Sequence, residues 1–251
     1  MDSRCANPEE RNSPRKGGGA WSNNVEIAKT AFIAVYATSL CSYFFTETSE
    51  NFRARAVNKI LLSTLFLSYA VAAFVLHYAF RSYHLVLLVA VFLAWLGDVF
   101  LLWDLNRGGD FFLCSNLCFL VYGLAFLDDA GIPFGAVWWF LPLAVVLWGS
   151  VFVVSGRHRT DIAATRLPML LYFATVTLHA SLGLALAVNA GRASVPAAKV
   201  LCFGGGLVLF LVSDCFLVLR KFGYPKSKAL ARLTSGAYFV GLLGVVFSMS
   251  I

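Results

Sequence analysis

HLVLLVAVFLAWLGDVFLLW, residues 84–103, is twenty residues long and carries one residue of the Asp, Glu, Lys and Arg set, Asp98. A helix of about 20 apolar residues crosses the ~30 Å hydrocarbon core of a bilayer, so this stretch reads as a membrane span. A carboxylate placed there costs roughly 3 kcal/mol on insertion scales, which makes it a functional-site candidate by default. A second such stretch is FLVSDCFLVL, residues 210–219, with Asp214. Both read [GS]-D-x-F-L, with Gly97 or Ser213 before the acid, and the two aspartates stand 116 residues apart.

Working outward, the whole chain has the same character. Its 251 residues are 59% hydrophobic and 13% charged, with a mean hydropathy of +0.76, against about 25% charged residues in a soluble domain. Eight apolar runs long enough to span fall near 27–45, 60–80, 84–103, 111–128, 134–154, 167–189, 199–219 and 231–250. The runs are continuous and lack strand-type alternation, so helices are expected rather than a transmembrane barrel. The fold class is therefore all-α, a polytopic membrane bundle of eight helices occupying 26–251. The fourth run is the shortest and the first carries Lys29. Residues 1–25 are polar, Gly-rich and of mixed charge, and read as a disordered tail.

A net charge of +7 raises the question of nucleic acid, but in a membrane protein it reports topology. Twelve Lys and Arg fall in the loops of one side, among them Arg53, Arg55 and Lys59, then Arg107, then Arg220, Lys221, Lys226 and Lys228. Three fall on the other, which places the rich side in the cytosol by the positive-inside rule, although four basic residues in the tail oppose it. No nucleic-acid partner is expected. Cys114 and Cys118 lie one helical turn apart, but no second pair or nearby His completes a metal site, and they read as packing residues. No metal and no cofactor is expected.

The third and seventh runs point the same way, and each aspartate lies near the same end of its run. The recurrence fits a four-helix unit duplicated in parallel, which sets equivalent positions at equivalent depth. Two carboxylates are then expected to meet in one cavity, where one holds a proton and the other stays charged. Such a pair suits acid catalysis on an oxygen-substituted carbon: one group donates a proton while the other steadies an oxocarbenium-like cation or activates water. Peptide, glycosidic and enol-ether bonds are all candidates.

LGDVF is similar to the LGD-type motif of intramembrane aspartyl proteases, but Trp95 stands where that motif needs Gly, and no Pro-Ala-Leu segment follows. The protease stays as a third reading. The eight runs, LGDVFLLW closing the third, FLVSDCFLVLRKF closing the seventh, a loop with Pro225, and Tyr238 in the last resemble the YhhN family of lysoplasmalogenases over nearly the whole chain. The resemblance implies hydrolysis of the vinyl-ether bond of a lysoplasmalogen, a single-chain phospholipid, to a fatty aldehyde and a glycerophospho-choline or -ethanolamine. It also implies a multi-pass protein of the endoplasmic-reticulum membrane acting in ether-lipid metabolism.

On that basis Asp98 and Asp214 are the expected catalytic pair. Tyr122, Tyr172, His179 and Tyr238 are expected to line the site, and Arg220 and Lys221 to meet the lipid's head group. Tyr172, Thr175 and His179 share one face of the sixth run. Gly204, Gly205 and Gly206 are expected to pack helices closely. The chain departs from the family at Gly123 and Gly241, which fall where a His and a Gln are expected. That departure motivates the alternative, a catalytically altered or inactive member that binds or transports lipid.

Overall fold

The computed structural model describes residues 18–49, 51–77, 82–157, 166–220, 224 and 226–251. Its helices are α1 (Gly18–Glu47), α2 (Phe52–His77), α3 (Ser82–Phe100), α4 (Leu105–Asp129), the single turn α5 (Phe134–Val137), α6 (Phe140–Arg157), α7 (Arg166–Val188), α8 (Ala197–Val218) and α9 (Lys228–Phe247). No strand occurs among the described residues. Among the described residues, seven helices are long and apolar enough to cross a membrane, and Phe134–Ser150 forms a shorter apolar segment. Large apolar side chains such as Val57, Val75, Val145 and Val188 are exposed along the helices, a surface that lipid covers. The protein is thus an all-helical polytopic membrane bundle.

Two compact units divide the chain at Thr38. The first is helical from Gly18, so α1 begins inside the segment expected to be tail; residues 1–17 of that tail lie outside the described residues. The second, Ser39–Ile251, holds the end of α1 and the remaining helices, and everything below concerns it.

The local signals account for most boundaries. Proline lacks an amide hydrogen and is tolerated only in a helix's first turn. A continuous fifth span would bury Pro142 in a helix interior; instead the chain turns at Trp138 and Trp139, and α6 restarts at Phe140 with Pro142 in its first turn. Pro168 likewise sits in the first turn of α7, and Pro196 precedes α8 as its N-cap. The fourth run, the shortest by composition, becomes a 25-residue helix. Asp104 extends it, since its carboxylate accepts the amides of Asn106 at 2.9 Å and Arg107 at 3.4 Å, the bonds an N-cap supplies.

Glycines set the spacing around α8. A Cβ on Gly204 would lie 2.4 Å from the Gly183 carbonyl oxygen of α7, and one on Gly206 2.5 Å from the Gly241 carbonyl oxygen of α9. The backbones of three helices therefore touch, a closeness small residues permit in membrane bundles. Gly205, between them, faces open space.

The duplication is visible in the packing. α2 packs on α3 and α9, α3 on α4, α7 on α8 and α4, and α8 on α9. Replacing α2, α3 and α4 by α7, α8 and α9, and the reverse, carries each of these contacts onto another. That exchange is consistent with the expected parallel repeats, although α6, which packs on α7, has no counterpart among the packed pairs.

Candidate active site

Asp98 sits in the last turn of α3 with its side chain 2% exposed. Three groups hold it. Lys59 Nζ lies 3.1 Å from Oδ1, Ser63 Oγ donates to Oδ2 at 2.6 Å, and Tyr238 Oη donates to the same oxygen at 2.8 Å. Lys59 and Ser63 are four residues apart and so share one face of α2, while Tyr238 comes from α9. A buried ion pair recovers its desolvation cost only when the remaining lone pairs are also satisfied. Here both oxygens are partnered, by a cation and two hydroxyls.

Asp214, buried on α8, has a plainer setting. Tyr172 Oη of α7 donates to its Oδ2 at 2.9 Å, and no cation lies within ion-pair distance among the described residues. Asn116 of α4, itself buried, lies beside the Tyr172 hydroxyl, and its amide nitrogen makes no hydrogen bond.

The small residue before each aspartate serves helix approach. Gly97 leaves room for the Phe112 ring of α4, whose Cε2 would stand 2.8 Å from a Cβ there. Ser213 Oγ donates 2.9 Å across to the Thr234 carbonyl of α9. The motif therefore pairs a small contact with an inward acid in both repeats.

No hydrogen bond joins the two carboxylates among the described residues, and each has its own partners. What runs between their nests is aromatic. The Tyr238 ring meets Phe210 edge to face with centroids 5.4 Å apart, and Phe210 is one turn from Asp214 on α8. Phe112 meets Tyr238 at 5.8 Å from the other side. His179 is wholly buried, its ring 6.2 Å from Phe119 and 6.1 Å from Phe210, and neither ring nitrogen is hydrogen-bonded. Of the expected lining residues, Tyr238 thus touches Asp98, Tyr172 touches Asp214, and His179 stands against the ring between them. Tyr122 touches neither: its hydroxyl lies 3.3 Å from His84 Nδ1, and its ring stacks among Phe126 and Phe203. Thr175 is turned back onto its own helix, donating to the Tyr172 carbonyl at 2.8 Å.

Gly123 and Gly241 are packing positions. The nearest atoms to a Cβ at Gly123 belong to Leu182 and Phe203, and at Gly241 to Gly206, Leu209 and Phe210. Neither glycine borders a carboxylate.

A third acid escaped the sequence reading. Glu47, the last residue of α1, is 6% exposed. Its Oε1 accepts a short hydrogen bond from Ser235 of α9 and lies 4.0 Å from Arg220, while Oε2 has no partner. Lys59 and Arg232 are within electrostatic range of Glu47, and Tyr43 within range of both Glu47 and Asp98. Glu47 lies in a cleft of about 170 Å³ whose walls include Arg55, Arg220, Lys226, Ser227 and Lys228. Of the two residues expected to meet a head group, Arg220 is therefore in this cleft; Lys221 lies outside the described residues. Lys59 and Glu47 begin and end apolar runs, where charge reads as topology, and only the packing of α2 and α9 shows that they turn inward.

The YhhN family model matches residues 54–249, most of the chain and all of the residues that hold the two aspartates. No curated protein and no solved structure matches it.

Proposed function

The chain belongs to the YhhN family, and from that premise we propose that it is a membrane hydrolase of the lysoplasmalogenase type, cleaving the vinyl ether of a single-chain phospholipid. The observation that carries this reading is the contrast between the two buried acids. Asp98 faces Lys59 and two hydroxyls, whereas Asp214 faces one neutral phenol. Two titratable groups with such unequal surroundings divide into acid and base.

In this mechanism Asp214 donates its proton to the vinyl carbon β to oxygen. The C=C electrons form the new C–H bond, and the ether oxygen's lone pair stabilises the resulting oxocarbenium ion. Asp98, paired with Lys59, takes a proton from the water that attacks the cation, giving a hemiacetal. Collapse reverses the roles. Asp214, now a carboxylate, accepts the hemiacetal hydroxyl proton as the C=O forms. Asp98 protonates the departing glycerol oxygen, and both acids return to their starting states. The products are a fatty aldehyde and a glycerophospho-alcohol. Phe210 and Tyr238 offer aromatic faces beside the developing cation, an attraction worth roughly 2 kcal/mol when desolvated.

The family resemblance also supports an endoplasmic-reticulum membrane and a role in ether-lipid metabolism. The alternative, a lipid-binding or transport protein without turnover, drew on Gly123 and Gly241. Both are helix contacts in this bundle, and the His and Gln of the family pattern are absent from them. The deciding experiment is aldehyde release from lysoplasmenylethanolamine and lysoplasmenylcholine by the purified full-length protein. Release that Asp98→Asn and Asp214→Asn each abolish supports the hydrolase. No release above the double variant removes it, and saturable lipid binding without turnover would then favour the alternative.

A further inference from the structure

We propose that the basic cleft around Glu47 binds the phosphate of the same single-chain phospholipid, holding its head group while the ether bond lies at the aspartates; the lipid, though not the phosphate, rests on the hydrolase reading. Four cations line this one concavity, and they come from separate parts of the chain: Arg55 from the first turn of α2, Arg220 from the end of α8, Lys226 from the following loop and Lys228 from the start of α9. A topological excess of Lys and Arg needs no such convergence, since any position in the loops satisfies it. Arg and Lys are the side chains that hold phosphate by charge-assisted hydrogen bonds. The N-terminus of the 20-residue α9 opens into the same cleft at Ser227 and Lys228, adding amide donors and the positive end of its dipole.

Glu47 gives the cleft its floor. One oxygen is committed to Ser235 and stands near Arg220. The other is buried with no partner, and an unmet buried carboxylate oxygen is costly. It is an acceptor placed for a donor that arrives with the ligand. A single-chain glycerophospholipid carries one, the free hydroxyl on the middle glycerol carbon, between the phosphate and the ether.

The depth also agrees. Ser235, on Glu47, and Tyr238, on Asp98, are three residues apart on α9, a rise of about 4.5 Å. The two partners share one face of α9, and Lys59, paired with Asp98, is also within electrostatic range of Glu47, so the cleft and the Asp98 nest are neighbours.

The test uses full-length protein in detergent and two ligands that cannot be hydrolysed, 1-alkyl-glycerophosphoethanolamine and 1-alkylglycerol, which lacks the phosphate. Wild type is expected to bind the first at least about tenfold tighter. The Lys226→Ala, Lys228→Ala double variant, which changes only exposed side chains, should lose most of that preference, whereas Glu47→Gln, whose partner hydroxyl both ligands carry, should weaken the two alike and not lower the preference. A parallel arm measures thermal stabilisation by inorganic phosphate. Stabilisation lost in the double variant, without any preference between the lipids, assigns the same cleft to free phosphate. Equal affinity for the two lipids together with no phosphate effect overturns the proposal, as does a preference that survives in the double variant combined with Arg55→Gln. Because the ligands are inert, the two readings fail separately. Phosphate preference without aldehyde release from the vinyl-ether substrate removes the hydrolase and leaves the cleft; aldehyde release without phosphate preference does the opposite.

Discussion

Replacing Lys59 by Met should leave Asp98 buried, charged and held only by Ser63 and Tyr238. At the observed 3.1 Å, two unit charges attract by about 5 kcal/mol at an effective dielectric of about 20, and part of that offsets the desolvation of both groups. Removing one partner of a buried pair costs about 3–5 kcal/mol. Lys59 is 12% exposed, so some water already screens the pair and the lower end, about 3 kcal/mol, is expected. For a chain of this size about 1 kcal/mol shifts Tm by about 2–4 °C, which predicts a fall of about 6–12 °C for Lys59→Met in detergent. Asp98→Asn should also destabilise, since it leaves the Lys59 ammonium buried without its charge. The double variant removes both charges and should recover most of the loss, giving a coupling of about 2–3 kcal/mol in the cycle. The assay is thermal unfolding followed by intrinsic tryptophan fluorescence on all four proteins. If the two single effects add to within about 0.5 kcal/mol, Lys59 and Asp98 are not paired, and the assignment of Asp98 as the ionised partner falls with the pair.

Other outcomes follow from the same contacts. Tyr238→Phe removes a charge-assisted hydrogen bond worth about 1.5–3 kcal/mol; aldehyde release should drop about tenfold or more, and an unchanged kcat would place Tyr238 outside the reaction. Tyr172→Phe should alter the pH profile of kcat on the limb set by Asp214 and leave the other limb in place, as read from single-turnover rates across pH. Gly206→Val drives branched methyls into the Gly241 carbonyl, 2.5 Å from its Cβ, and should abolish the monodisperse peak in size-exclusion chromatography, whereas Gly205→Ala, facing open space, should run as wild type. His179→Phe fills an apolar slot between Phe119 and Phe210 and should keep the fold, judged by Tm; retained kcat would restrict His179 to packing.

Much of the bundle is legible in the sequence because lipid enforces a single length and a single composition on every span. Most of the eight runs correspond to helices to within a few residues; α1 and α2 begin eight or nine residues before their apolar runs, Pro142 splits the fifth, and Asp104 lengthens the fourth, the last two being effects of single side chains on backbone hydrogen bonds that hydropathy does not register. The aspartates stand out because a carboxylate in a long apolar run is expensive. Lys59 and Glu47 do not, because a charge at the edge of a run is equally at home in water, and which way it turns depends on a neighbour far along the chain. Ser63 and Ser235 are quieter still, since a lone serine in a membrane helix commonly bonds its own backbone. The motif spacing points to the duplication, but it does not tell which helix of one repeat reaches the acid of the other.

That crossed reach bears on how the protein is made. The nest around Asp98 needs α2 and α3, available early, and α9, whose Tyr238 is translated 140 residues after the acid it holds. Asp214 is backed by Tyr172 and by Asn116, which was translated far sooner. The first half of the chain cannot finish its own acid alone. Asp98 enters the membrane well before Tyr238 is made, so a nascent chain that stalls or is truncated before Tyr238 keeps an unfinished acid in the bilayer.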